Sequence, residues 1–239
     1  MMAKLNDDER RTLIAEIANG ATLAFANAEQ LFKEGEVLAS IGALPRALFL
    51  HQISLEECGK IEILGAWATS VLAKIDVDQT RLARALANHK AKNGANAYML
   101  ELSPAEKTAR SEKDWKESAA AFDEMKRLYH EDSNEAKNAA LYVDFDGSKF
   151  HSPETRITTK MVKATAKRNA EFLGLMEPKL RILQGWANDF DSAPPLDGFL
   201  EFAEKLRADN PDGPYEAFDA IMNELRARMT RKGKGPVKG

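Results

Sequence analysis

From Ala43 to Ala73 the chain reads ALPRALFLHQISLEECGKIEILGAWATSVLA, apolar on nearly every side of a helix. That pattern predicts a helix packed all round rather than along one stripe. At about 100° per residue, Leu50, Ser54, Glu57, Ile61, Leu64 and Ala68 fall close to one line. Glu57 is therefore expected on the core-facing stripe, with Lys60 one turn on. Both should be largely buried. A carboxylate there must be paired, hydrogen-bonded or functional, and its expected partners are His89 and Lys92 of the next helix.

Helical periodicity continues on either side. A first helix is predicted from about Asp7 to Lys33, with Leu13, Ile17, Ala21, Ala24, Ala28, Leu31 and Phe32 in register. A third starts near Asp78 and carries Leu82, Ala85, Leu86, His89, Asn93, Asn96 and Leu100 along one side. Ser103-Pro104-Ala105-Glu106 reads as a capping box with proline at the first helical position. The fourth helix that it opens should end near Tyr129 or His130. At Leu141-Tyr142-Val143-Asp144-Phe145-Asp146-Gly147 the pattern changes to alternation and stops at Asp-Gly, which predicts a short extended segment or hairpin. A long helix is expected from about Thr158 to Phe190, ended by Pro194-Pro195. Two shorter helices follow, at about Leu196–Ala208 and Tyr215–Met229.

The predicted fold is an all-α bundle with a small extended or hairpin insertion and extra C-terminal helices. Residues 1–192 form the main domain, with the insertion at about 140–156. Residues 193–230 are a helical appendage, and 231–239 a disordered basic tail that could help to hold a polyanion.

Composition narrows the function classes. The 239 residues are 44% hydrophobic and 30% charged, with a formal charge of -3, so binding to nucleic acid must use a local patch. The single cysteine, Cys58, excludes an intramolecular disulfide and points to a reducing compartment; its apolar setting marks it as a small core residue. No run reaches the roughly 18 apolar residues of a membrane span, and no signal-peptide core follows MMAKLNDDERR. A cytoplasmic protein with no membrane partner is expected.

Two chemistries compete for the polar residues. His89, with Lys92 and Asn93 a turn further on the same face, could move a proton in metal-free RNA cleavage. Arg84, five residues before it, could clamp the phosphate. Arg46 and His51 repeat the R-x4-H spacing on the second helix and are a weaker alternative. Five residues turn a continuous helix by roughly 140°, so neither pair would share a face unless the helix breaks or a second subunit completes the site. Glu56, Glu57 and Lys60 read equally as supporting or binding residues and as a buried ion-pair network. No metal is expected, because Gly59 and Lys60 stand where a histidine ligand would be wanted. No cofactor is expected either.

Taken in order, Asn27-Ala28, Glu56-Glu57-Cys58-Gly59-Lys60, His89-Lys90-Ala91-Lys92 and Leu141-Tyr142-Val143-Asp144 resemble the AbiV family of abortive-infection proteins, grouped with the HEPN superfamily. The resemblance covers roughly Ala15 to Ala170; the chain from Leu196 matches nothing. It implies a HEPN-like helical bundle, a homodimer, and a role in bacterial defence against phages through shutdown of translation or growth. It also implies a metal-independent endoribonuclease, with Arg84 and His89 matching the R-x4-6-H motif. RNA would be the main partner, and a phage protein or an antitoxin further ones. Active HEPN nucleases usually place a polar residue after the arginine, whereas Ala85 follows Arg84 and Ala47 follows Arg46. A non-catalytic module that sequesters RNA, ribosomes or a phage protein is the alternative.

Overall fold

The computed structural model describes residues 5–75, 78–196 and 198–209, together with 220–221, 223–225 and 227–228. Helix α1 (Asp7–Ser40) begins at a full capping box between Asn6 and Glu9 and runs seven residues past the predicted end. Helix α2 (Leu44–Leu72) carries Pro45 in its first turn, where a missing N–H costs nothing. From His51 to Gly59 it is buried on nearly every side, as its sequence predicts, while Arg46 and Ala66 nearer its ends reach solvent. The main core lies between α1, α2 and α8 (Thr159–Asn188), where Ile14, Ile17, Leu55, Ile61, Phe172 and Met176 meet. A second, smaller cluster joins Ala47 and Leu48 to Ala139, Ala140, Ile157 and Val162.

The expected third helix is two helices. Helix α3 (Gln79–Ala87) stops at Asn88, whose extended backbone lets its side chain accept from Ala91 N and cap α4 (His89–Asn96). A single 3-10 turn, Ala97–Met99, follows. An asparagine satisfies orphan amides best at a helix start, so Asn88 ends one helix by opening another. His89 is thereby moved to the first turn of α4, off the stripe a continuous helix would give it.

The fourth expected helix is also divided. Helix α5 (Pro104–Ser111) starts at Ser103, whose hydroxyl accepts from Glu106 N. The other half of the predicted capping box is not made, because the Glu106 carboxylate turns to Arg110. Lys113 adopts a left-handed backbone (φ 60°) and Asp114 caps helix α6 (Trp115–Leu141), which runs well past His130. Strands β1 (Asp144–Phe145) and β2 (Phe150–His151) form the predicted hairpin, Phe145 opposite Phe150. Asp146 accepts from Ser148 and Lys149 in the turn. Helix α7 (Pro153–Arg156) leads into α8, and α9 (Phe199–Asp209) follows the proline pair. The described residues between 220 and 228 are helical; the rest of the Tyr215–Met229 helix and the 231–239 tail lie outside the described residues. Among the described residues no helix is long and apolar enough to cross a membrane.

One close approach sets the position of α4. A Cβ on Gly59 would lie 2.5 Å from the Lys92 carbonyl oxygen and 3.0 Å from Asn96 Oδ1. Only glycine lets α2 and α4 touch backbone to side here. Asn96 secures the crossing by donating to Leu55 O at 2.7 Å. Gly59→Ala is therefore expected to push α4 away and cost about 1–3 kcal/mol, read as a lower midpoint in urea unfolding. An unchanged midpoint would show that the crossing is not as tight as described.

Candidate functional site

Glu56, one residue before the glutamate that periodicity favoured, is the buried charge that organises the site. It is 1% exposed. Its Oε2 accepts from His89 Nδ1 at 2.5 Å and from Lys92 Nζ at 2.8 Å, and its Oε1 accepts from the Lys137 ammonium. Helices α2, α4 and α6 thus converge on one carboxylate. Burial pushes the Glu56 carboxyl up, but the hydrogen bonds from Lys137, Lys92 and His89 outweigh it and hold it below the ordinary range. Two buried ammoniums against one carboxylate leave surplus positive charge even before His89 is counted. That surplus is a local attraction for an anion in an otherwise acidic protein.

His89 is the exposed member of this cluster, its side chain 57% accessible. Because Nδ1 is tied to Glu56, Nε2 is the nitrogen left for solvent or a ligand. Asn93 follows His89 by one turn, is fully buried, and donates Nδ2 to Nδ1 of His130 on α6 at 3.2 Å. That bond puts the proton of a neutral His130 on Nε2. Burial, then the positive charges of Lys137 and Lys90, push the His130 imidazolium down. Two imidazoles therefore flank Asn93 on the α4–α6 seam, each with its Nδ1 already engaged. Arg84, exposed on α3, stands across the Asn88 break from His89 with no side-chain partner among the described residues.

Glu57 is 8% exposed, as expected of its stripe, but it does not meet His89 or Lys92. Its carboxylate takes Lys60 at 2.6 Å, one turn along α2, and Lys60 is only half-buried. With Glu16, Asn27, Leu82 and Leu86 they line a groove of about 460 Å³ between α1, α2 and α3. The expected pairing is corrected to Glu56, and the reason is geometric. Where α2 is enclosed on several sides there is no single core face, so both of these adjacent positions, about 100° apart, are buried, Glu56 with buried partners and Glu57 with the half-buried Lys60.

Arg46 and His51 go to structural places. Arg46 reaches the Ala140 carbonyl at 3.4 Å. His51 is fully buried, packs edge-on against Phe32, lies 3.4 Å from Asn169 Nδ2 and has Nε2 3.2 Å from Glu36. Burial pushes its imidazolium down against the opposing pull of Glu36. Cys58 is buried and its thiol pushed up to about 12 by burial and then by Glu57, which leaves no nucleophile. Among the described residues no group of three or more histidine, cysteine, aspartate or glutamate side chains is placed to hold a metal.

Sequence reasoning missed Lys137 and His130. Tyr129, Ser133, Lys137 and Ala140 are all buried on α6 at spacings of four, four and three. A lysine inside such a stripe was the available signal. Ser133 adds a bond to Gln52 at 2.8 Å, fastening α6 to α2 beside the cluster.

Two outcomes follow. Glu56→Ala strands two buried ammoniums and is expected to cost about 3–5 kcal/mol, whereas losing the part-exposed Glu57–Lys60 pair in Glu57→Ala should cost well under 1 kcal/mol; chemical unfolding of both variants ranks them. The second concerns pH. His51 binds fewer protons folded than unfolded, so stability should fall as pH drops through the ordinary histidine value of 6.5 and continue to fall until the lowered folded value is passed. His51→Gln should flatten the slope of melting temperature between about pH 7.5 and 5.5, leaving the share that belongs to His130. An unchanged slope would contradict the neutral core assignment.

Comparison with known proteins agrees with the bundle. Residues 16–174 match the AbiV (HEPN_AbiV) family model. The chain is 37% identical over 108 residues to a Sinorhizobium fredii (strain NBRC 101917 / NGR234) protein named Uncharacterized protein y4gJ, a stretch that is 45% of this chain and 56% of that protein. The chain thus spans little more than half the length of that relative. No solved structure matches. The Glu56 cluster, both flanking histidines and the Gly59 crossing all fall inside the matched residues, and the chain belongs to the AbiV family of HEPN proteins.

Proposed function

We propose that this protein is a metal-independent endoribonuclease acting in abortive infection, with its catalytic centre on the α4–α6 seam. Membership of the AbiV family suggests the abortive-infection, HEPN-type setting. The observation that carries the chemistry is the buried Glu56 carboxylate on Nδ1 of the exposed His89. A carboxylate so placed fixes the tautomer and orientation of the ring and steadies it through proton transfer.

In the proposed reaction the 2′-oxygen of a ribose attacks the adjacent phosphorus and the bond from phosphorus to the 5′-oxygen breaks. His89, its Nδ1–H held by Glu56, takes the 2′-hydroxyl proton at its free Nε2 and returns it to the leaving 5′-oxygen, while neutral His130, with its proton on Nε2, donates a hydrogen bond to a phosphate oxygen. The products are a 2′,3′-cyclic phosphate and a 5′-hydroxyl end. Arg84 and the surplus charge of Lys92 and Lys137 stabilise the phosphorane-like negative charge as it develops. Lys92, Lys137 and His89 occupy the Glu56 oxygens, the positions a cation would need, which supports a reaction without a metal at this carboxylate. We extend the proposal to a homodimer with α3 near the subunit boundary, where the exposed Arg84 of two copies would face one strand.

A second reading keeps the site and removes the chemistry. Ala85 follows Arg84, and no neighbour among the described residues holds the guanidinium in place, which favours a module that sequesters RNA, ribosomes or a phage protein, released or silenced by an antitoxin. Total RNA incubated with purified protein and a chelator separates the two. The nuclease reading expects cleavage, cyclic-phosphate ends, and a loss of about 100-fold or more in His89→Ala, with a comparable loss in Arg84→Ala. RNA held but never cut by the folded wild type supports the sequestering module. A single-chain mass by light scattering at micromolar concentration would remove the dimer.

A further inference from the structure

Past the C-terminal end of α4, the seam opens into a pocket of about 400 Å³ between the 3-10 turn, α5 and the first half of α6. Its size is that of a small-ligand site, and its walls are aromatic. Tyr98 and Phe122 stand with ring centroids 4.9 Å apart, and Trp115, Met125, Leu100 and Leu102 add to the apolar lining. Tyr98 is 72% exposed, a large ring presented to solvent rather than to the core.

The polar element of this pocket is Glu106, fully buried. Its Oε1 accepts from Arg110 at 2.6 Å, while its Oε2 is buried with no hydrogen-bond partner. Its sequence position suits it to close a capping box with Ser103, yet it points to the pocket instead. A buried carboxylate oxygen without a donor is costly, and a ligand in the pocket is the source of donors that the fold leaves open. Arg110 is half-exposed, so its side chain can swing outward to admit a ligand.

We infer that this pocket binds a guanine base of the RNA strand, stacked on Tyr98 and Phe122 with its N1–H and N2–H donors on the Glu106 carboxylate. Aromatic faces accept any base, but guanine is the RNA base that presents two adjacent donors on one edge, matching the two oxygens of a carboxylate. The pocket is in line with the proposed cleavage centre. Phe122 precedes His130 by eight residues on α6, about 12 Å along the helix, and Ala97 and Tyr98 follow directly on α4. A base held here would place a neighbouring phosphate of the same strand toward His89 and His130. The inference rests on the ribonuclease reading for its biological sense, but its test does not need cleavage.

The full chain is titrated with guanosine, adenosine, cytidine and uridine 5′-monophosphates by calorimetry. Guanosine monophosphate is expected to bind about tenfold or more tighter than the other three. Glu106→Gln should erase that preference, and Tyr98→Ala, at a position 72% exposed, should weaken all four alike. Unfolding midpoints check that both variants are folded. No binding of guanosine monophosphate, equal binding of all four, or a preference that survives Glu106→Gln would overturn the assignment. A guanine preference in a protein that cuts no RNA keeps the pocket and removes the nuclease reading; cleavage without a guanine preference does the reverse.

Discussion

The architecture depends on one buried charge. Glu56 cannot remain ionised inside the bundle unless donors surround it, and it draws them from three helices: His89 and Lys92 on α4, and Lys137 on α6, against its own α2. The close α2–α4 crossing at Gly59 brings those donors within reach. Neither feature would hold without the other. Without the crossing, Lys92 and His89 would lie too far out; without the carboxylate, two ammoniums would be buried with nothing between them. Such a cluster contributes less to net stability than an apolar core of the same volume, which makes its presence an argument for function.

The cluster also sets what the surface can do. Its paired interior is closed, but its outer edge leaves an imidazole in solvent with one nitrogen fixed and the other free. His130 adds a second ring from the opposite helix, its Nδ1 accepting from Asn93 and its proton on Nε2. An excess of positive charge lies behind both rings. Lys92 and Lys137 against the single Glu56 carboxylate give this seam a local positive surplus in a protein whose net charge is -3.

Much of the fold was legible in the chain. The apolar character of α2, the Ser103 cap and Pro104 start of α5, and the Asp-Gly turn of the hairpin each follow from local chemistry, and the structure contains them. The candidate site was legible in type but not in register. Periodicity chose Glu57 because it aligns with Ile61 and Leu64, yet the middle of α2 is buried on nearly every side and Glu56 is the residue that faces α4 and α6. His89 was placed on an apolar stripe because Asn88 was read as one more helical residue; as a cap it restarts the helix and turns His89 outward. Lys137 and His130 went unnoticed because α6 is largely polar, so the spacing that sets Lys137 in line with Tyr129, Ser133 and Ala140 is a weak signal until packing shows that this side faces inward. Glu106 was read as the partner of Ser103, a local bond that lost to Arg110.

The most direct measurement is of the two imidazoles themselves. Nitrogen-detected NMR of histidine-labelled protein, titrated with a 2′-deoxy-substituted RNA strand that cannot be cut, reports where the strand lies without any turnover. The account predicts that the ring nitrogens of His89 and His130 both shift with a single saturation curve, while buried His51 stays still. Saturable binding that leaves both rings unmoved would contradict the assignment of the α4–α6 seam as the site.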